Sequence, residues 1–297
     1  MTSRPTIALL GTGLLGRAVA ERLHTVGHTV VVFNRTATKA LPLQSQGIAV
    51  VGSADLAVSG ADCTVLLLAD AAAIRSVLLT PACSAAFKGN TIVQMGTIGP
   101  GESLALQREV EKRGGAYCEA PVLGSLAEAK AGTLSVLVGG TEEQFTTWSP
   151  LFRSLGREPR HIGAVGKASA LKLALNHLIA AEMSAFALSL GLVQRSGVSV
   201  EAFMAVLRES ALYAPTFDKK MPRLLKRDYH HPNFSTRHLL KDVRLVYREA
   251  AARGLTTDAL NGLSVILERA IEQGLGDLDY SALFEIITPA DPRSPLP

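Results

Sequence analysis

With 297 residues, nearly half of them hydrophobic, the chain is long enough for two domains of ordinary size, each with its own core. Its net charge of +4 suits an anionic cofactor or substrate but is too mild to point to nucleic acid. The three cysteines, Cys63, Cys83 and Cys118, show neither metal-type nor redox-type spacing, so they read as free thiols in a reducing, cytoplasmic setting, with no metal site.

The apolar run Ile7 to Leu15 is broken by glycines and no small-residue cleavage site follows, which argues against a signal peptide. The apolar stretch Leu178 to Val193 contains Glu182 and is short for a membrane span, so a soluble protein without a membrane partner is expected.

Thr6 to Leu10 reads as a short buried strand and Thr29 to Phe33 as a second. Between them stands Gly11-Thr12-Gly13-Leu14-Leu15-Gly16, the G-x-G-x-x-G spacing, and then a helix that Gly27 ends. In a βαβ unit each glycine has its own reason. Gly11 permits the tight turn, Gly13 lets a pyrophosphate approach the backbone, and Gly16 lets helix and strand pack closely. The helix N-terminus then offers unpaired N–H groups to phosphate. A dinucleotide-binding loop is the expectation.

Asn34-Arg35-Thr36 ends the second strand, where NAD sites usually carry an acid for the ribose hydroxyls. A guanidinium there holds a 2′-phosphate that a carboxylate would repel, so NADP(H) is the expected cofactor. Further strands are expected at Thr64–Ala69, Thr91–Met95, Ala116–Glu119 and Leu134–Val138, with helices between them, for example Gly101 to Lys112. This is a doubly wound α/β domain whose ligands belong at the carboxyl ends of the strands. Leu68 and Ala69 at one such end are assigned to the cofactor. The loops Met95–Pro100 and Ala120–Ser125 leave two others, with Thr97, Gly124 and Ser125 as candidate donors.

From Gly163 to Arg195 the chain reads as one long helix, apolar around most of its circumference and therefore expected to be buried on nearly every side. Lys172 and Asn176, four apart, share one face of it. A buried lysine must be paired, lose its proton, or serve chemistry. Helical patterns dominate to about Ile287, giving a Rossmann domain over residues 1–163 and an all-helical domain over 164–297, the latter covering substrate binding and dimerisation. The basic stretch Lys219 to His231 contains Pro222 and lacks a regular face, so no nucleic-acid recognition helix is expected there. By itself the Lys241-Asp242 pair reads as a solvated surface pair. The proline-rich tail, residues 289–297, reads as disordered.

Four motifs then occur in order: GTGLLG, EAPVLGSLAEAKAGTL, GAVGKASALKLALN and KDVRLV. Together they resemble those of the β-hydroxyacid dehydrogenases, the family of 3-hydroxyisobutyrate dehydrogenase and the glyoxylate/succinic semialdehyde reductases, over nearly the whole chain. The resemblance implies an NADPH-dependent oxidoreductase that moves hydride between the nicotinamide and a small aldehyde or a 2- or 3-hydroxy acid. It implies Lys172 as the acid/base, Asn176 as its substrate-orienting partner, and Thr97 and Lys241 at the nicotinamide end of the cofactor. Phe234 and Asp242 are placed near the substrate, as is the segment Leu123, Gly124 and Ser125. A homodimer or homotetramer is implied as well.

One departure stands out. Leu123 replaces the substrate-binding serine of the family, so either Ser125 and backbone N–H groups take its place or the substrate is less polar there. Two rivals share the plan. An imine reductase would typically place Asp, Tyr or another residue at position 172. A non-catalytic NADP-binding module would not retain Lys172 and Asn176.

Overall fold

The computed structural model describes residues 5–290. By its contacts the chain divides into two units, Met1–Leu173 and Ala174–Pro297, and the division falls inside a long helix.

The first unit is an α/β domain. It runs β1 (Thr6–Leu10), α1 (Leu14–Thr25), β2 (Thr29–Phe33), α2 (Leu41–Gln44), β3 (Ala49–Val50), α3 (Ala54–Ser59) and β4 (Cys63–Leu66). Then come α4 (Ala71–Leu78), α5 (Pro81–Ser84), β5 (Thr91–Gln94), α6 (Pro100–Glu111), β6 (Ala116–Glu119), β7 (Val122–Leu123), α7 (Leu126–Ala131), β8 (Ser135–Gly139), α8 (Glu142–Leu155) and β9 (Arg160–Gly163). The strand order is β3-β2-β1-β4-β5-β6-β8-β7, with β9 pairing β8.

The strands from β3 to β6 are parallel, while β8 runs antiparallel to both β6 and β7. Alternate residues of β1 feed two cores. Ile7 and Leu9 pack with the apolar sides of α1 and α8, and Ala8 and Leu10 with those of α3, α4 and α6. Helices on both faces of a largely parallel sheet make the domain doubly wound, as expected from the sequence.

The fourth strand ends at Leu66, so Leu67, Leu68 and Ala69 form the loop at its carboxyl end and do not extend it. The expected helix from Gly163 is also shorter: α9 spans Lys167–Arg195. Gly163 closes β9, and Gly163 and Gly166 hold φ of 133° and 95°, outside any right-handed helix.

The second unit holds most of α9 and the helices α10 (Val200–Glu209), α11 (Pro215–Lys226), α12 (Thr236–Ala251), α13 (Asp258–Glu272) and α14 (Leu283–Ile287). One core runs through it, built on Met183, Phe186, Ala187 and Leu190 of α9. The other side of α9 is bare. Leu178, Leu188 and Leu192 are 51%, 62% and 67% exposed, so within one chain this helix is not buried all round.

The basic stretch after Pro215 also differs from expectation. Pro222 is accommodated inside α11, and the helix does have a regular inner face, with Phe217, Lys220 and Leu224 buried. Lys220 is drawn inward by Asp279, 2.7 and 2.8 Å from its two carboxylate oxygens, with its ammonium over the Tyr280 ring. The tail expected to be disordered lies, from residue 291 on, outside the described residues; before it, the Pro289 carbonyl accepts from Arg195.

Candidate active site

The first unit gathers its candidate residues at the carboxyl ends of β1, β2, β4, β5 and β6. At the glycine loop the structure separates three roles. Gly11 has φ 104°, and a Cβ there would run into the Leu67 carbonyl of the neighbouring strand end. A Cβ on Gly16 would run into the Gly11 carbonyl. Around Gly13, by contrast, a Cβ would meet nothing within 4 Å. Gly11 and Gly16 thus allow chain to meet chain, and Gly13 leaves open space at the start of α1.

That helix has no side-chain cap and no acid in its first turn, so its first N–H groups are left for an outside anion. The Thr12 hydroxyl is buried with no hydrogen-bond partner. Open space, uncapped donors and an orphaned hydroxyl fit the pyrophosphate of a dinucleotide; Leu14 and Leu15 open the helix beneath it.

Asn34 acts as a brace. Its Oδ1 accepts from the Thr12 N–H at 2.9 Å and its Nδ2 donates to the Thr36 carbonyl at 2.9 Å, tying the glycine loop to the end of β2. Arg35 and Thr36 are exposed. The loops after β4 and β5 touch, since a Cβ on Gly96 would lie 2.8 Å from the Leu68 carbonyl. Gln94 holds Gly96 from both sides, accepting from its N–H and donating to its carbonyl, each at 2.8 Å, and so sets the turn that carries half-buried Thr97.

A residue not singled out in the sequence organises the start of α9. Glu119, fully buried at the end of β6, accepts from the N–H groups of Gly166 (2.8 Å) and Ser169 (3.0 Å) at one carboxylate oxygen. At the other it accepts from the hydroxyls of Ser103 and Ser169, both at 2.5 Å. The Ser103 hydroxyl, its proton given to Glu119, is left to accept from Tyr117 at 2.9 Å. A buried carboxylate is tolerable because four donors and the positive end of a 29-residue helix face it.

Gly139, paired with Glu119 across β6 and β8, leaves room for it, since a Cβ there would lie 2.5 Å from the carboxylate. Burial, and then the charge of Glu119, push the neighbouring Cys118 thiol up to about 12; all three cysteines are free and buried. The one hint in AYCE is an acid at the end of a short strand that is otherwise largely buried.

Lys172 lies one turn beyond Ser169 on the same helix and is buried at 8% exposure. Downstream of β6, β7 pairs Leu123 with Ser135 and leaves Leu123 half-buried. Gly124 has φ 143° and turns the chain into α7. Ser125 is engaged by the helix that follows it. Its N–H donates to the Glu128 carboxylate at 2.8 Å and its hydroxyl donates to the same oxygen, a capping box that closes the start of α7.

In the second unit, Asn176, Lys241 and Asp242 come together. Asn176 Nδ2 donates to Asp242 at 2.6 Å, and the Lys241 ammonium lies 2.9 Å from the other carboxylate oxygen. Asp242 is 1% exposed, so the pair is not the solvated surface pair read from the sequence. Asn176 Oδ1 is buried without a partner. Phe234 lies in the same unit, its ring stacked on His238 and edge-on to Tyr280.

The profile of the NAD binding domain of 6-phosphogluconate dehydrogenase matches residues 6–166, and that of the NAD-binding of NADP-dependent 3-hydroxyisobutyrate dehydrogenase matches residues 166–287. Glyoxylate/succinic semialdehyde reductase 1 of Arabidopsis thaliana is 30% identical, over 95% of this chain and 98% of the relative. Probable 3-hydroxyisobutyrate dehydrogenase-like 1, mitochondrial, from the same plant is 31% identical over 95% and 84%. The solved 3-hydroxyisobutyrate dehydrogenase of Mycobacterium tuberculosis with L-serine superposes with a TM-score of 0.86 at 26% identity, covering 96% of this chain and 99% of the other. The chain belongs to the β-hydroxyacid dehydrogenase family, the NAD(P)-dependent oxidoreductases related to 3-hydroxyisobutyrate dehydrogenase.

Proposed function

We propose that the protein is an NADP(H)-dependent oxidoreductase that interconverts a small carbonyl compound and its alcohol, with Lys172 as the acid/base. The observation that carries this reading is a buried lysine one turn beyond a helix start that Glu119 pins to the sheet. The family supports the class of reaction, and the glyoxylate, succinic semialdehyde and hydroxy acids in the names of its members are the first substrates to try.

Bound NADP(H) supplies or takes up a hydride at its nicotinamide ring. The uncapped start of α1 and the space at Gly13 would hold its pyrophosphate, and Arg35, with Thr36, would hold the 2′-phosphate by charge-assisted hydrogen bonds. Lys172 gives a proton to the oxygen of the carbonyl as it becomes an alkoxide, and takes the hydroxyl proton in the reverse direction. An ordinary lysine has a pKa of about 10.4, so a lysine working as a base near neutrality relies on burial to disfavour its charged form.

Asn176 lies one turn further along α9, and its unpartnered Oδ1 is an acceptor. That atom suits the hydroxyl of the alcohol, whereas a carbonyl oxygen would be held by the second hydrogen of Nδ2. An imine is the second reading, favoured by Leu123 where the family has its substrate-binding serine. The test is a panel of small aldehydes, keto acids and cyclic imines against NADPH and NADH. Reduction of aldehydes with NADPH preferred is the expected result. Turnover of the imines alone would overturn the reading.

A further inference from the structure

Gly166, Ser169 and Lys172 follow one another at spacings of three where α9 begins. The first two are bonded to Glu119, and the third is the buried lysine. Strand pairing holds the chain only as far as Gly163, which lies opposite Gly139 of β8. Gly163 and Gly166 then turn through positive φ, where glycine is least restricted, so the pairing of β9 leaves the direction of the helix open. Glu119 sets that direction. Its carboxylate takes two N–H groups and one hydroxyl from the start of α9.

Glu119 is itself held on three sides. Its backbone pairs with Gln94 of β5 and with Gly139 of β8. Its side chain is fully buried, and Ser103 of α6 donates to the same oxygen as Ser169, each at 2.5 Å. The carboxylate is therefore a fixed post at the end of the sheet. A helix is stiff over a single turn and rises about 1.5 Å per residue, so Lys172 lies about 4.5 Å along the axis from Ser169 and follows any shift of it. The length of the glutamate arm thus sets where the lysine stands relative to the carboxyl ends of the strands.

We infer that Glu119 is a positioning residue for the reaction: the reach of its side chain sets the place of Lys172 through the first turn of α9. This rests on the reading that Lys172 moves the proton, and it adds a residue that works at a distance from the chemistry. The carboxylate oxygens of Glu119 are taken up by Gly166, Ser169 and Ser103, so its part is to hold the helix and not to exchange a proton. A carboxylate one methylene shorter draws back by about 1.5 Å. A misplacement of about 1 Å can cost about 10²-fold in rate, even from a change far from the reacting atoms.

The experiment compares Glu119→Asp with Ser103→Ala in the intact protein, using NADPH and the best small aldehyde. Aspartate keeps the charge and both acceptor oxygens but shortens the arm. Ser103→Ala removes a bond to the same carboxylate from α6 and leaves those from α9 in place. Fluorescence titration with NADPH counts the folded sites, and kcat is expressed per site. Glu119→Asp is expected to lose at least about tenfold in kcat, with KM for NADPH within about twofold of wild type. Ser103→Ala is expected to keep kcat within about twofold, whatever its melting temperature. Glu119→Gln keeps the length of the arm, and the Ser103 and Ser169 hydroxyls can turn to accept from its amide, so it should recover most of the loss. If Glu119→Asp does not fold, Ser169→Ala takes its place, with a loss of about threefold or more expected. Wild-type kcat per site in the folded α9-side variant would overturn the inference and leave carbonyl reduction standing. So would an equal loss in Ser103→Ala, or a loss in Glu119→Gln as large as in Glu119→Asp. Failure of the wild type to oxidise NADPH or NADH with any aldehyde would overturn the carbonyl-reduction reading and the inference together.

Discussion

Asn176 Nδ2 donates to the buried carboxylate of Asp242 at 2.6 Å, and this bond dictates which way the Asn176 amide faces. A carboxylate only accepts, so the amide must turn its NH2 toward Asp242, which leaves Oδ1 on the other side without a partner. Lys241 lies 2.9 Å from the second carboxylate oxygen. Asp242→Asn should therefore release the amide, because an asparagine there accepts or donates equally well. The expected outcome is a fall in kcat of about tenfold or more with a small change in melting temperature. A kcat equal to wild type would show that the orientation of Asn176 does not matter. Asp242→Ala should in addition cost about 1–3 kcal/mol of stability, since it leaves a buried amide unsatisfied.

Glu119 should be the most sensitive single polar residue of the first unit. Glu119→Gln keeps the shape but removes the charge that faces the start of α9 and four donors. A loss of about 2 kcal/mol is expected, read as a lower urea midpoint at constant slope. Glu119→Ala should cost more, because it strands backbone and hydroxyl donors in a buried site. Gln at wild-type stability would mean that the carboxylate charge contributes nothing to capping the helix.

Arg35 is the exposed guanidinium at the end of β2. NADPH should be preferred over NADH, and Arg35→Ala should weaken NADPH by about 1.5–3 kcal/mol, roughly tenfold or more, while leaving NADH little changed. Titration of each nucleotide by fluorescence checks it. Equal use of both nucleotides by the unmutated protein would contradict the assignment.

The bare side of α9 predicts self-association. Leu178, Leu188 and Leu192, with Ala174 and Ala185 also exposed, fall at spacings of three, four and seven and make one apolar stripe. A homodimer at micromolar concentration is the expected result of light scattering, and Leu188→Glu with Leu192→Glu should shift it toward monomer. A monomeric wild type would refute this.

The glycine loop was legible because its function lies in the backbone: the residues that let chains approach have no side chain, and the spacing survives in the sequence. β1 and β2 were legible for a similar reason, as short apolar runs between turns. The all-round apolar character of α9 was legible too, but not its cover, because composition cannot tell a face buried in the same chain from one left bare. Glu119 was missed because its partners lie 16 to 50 residues away and no local spacing marks them. Asp242 was first read as solvated for the same reason: its burial comes from packing, and only the match of KDVRLV to the family set it apart. The inner face of α11 was hidden by Pro222 and by Lys220, whose charge is answered by Asp279, far along the chain.

The central claim is that Lys172 moves the proton. The most direct measurement is kcat of Lys172→Ala on the best aldehyde, with nucleotide affinity and melting temperature measured beside it. The expected result is a loss of about 10²–10⁴-fold in kcat with both controls nearly unchanged. Lys172→Arg should not restore it, because a guanidinium cannot exchange its proton at working pH. In the wild type, aldehyde reduction should fall, and alcohol oxidation rise, over the pH range in which Lys172 loses its proton. A Lys172→Ala variant that keeps wild-type kcat on the aldehyde would contradict the account.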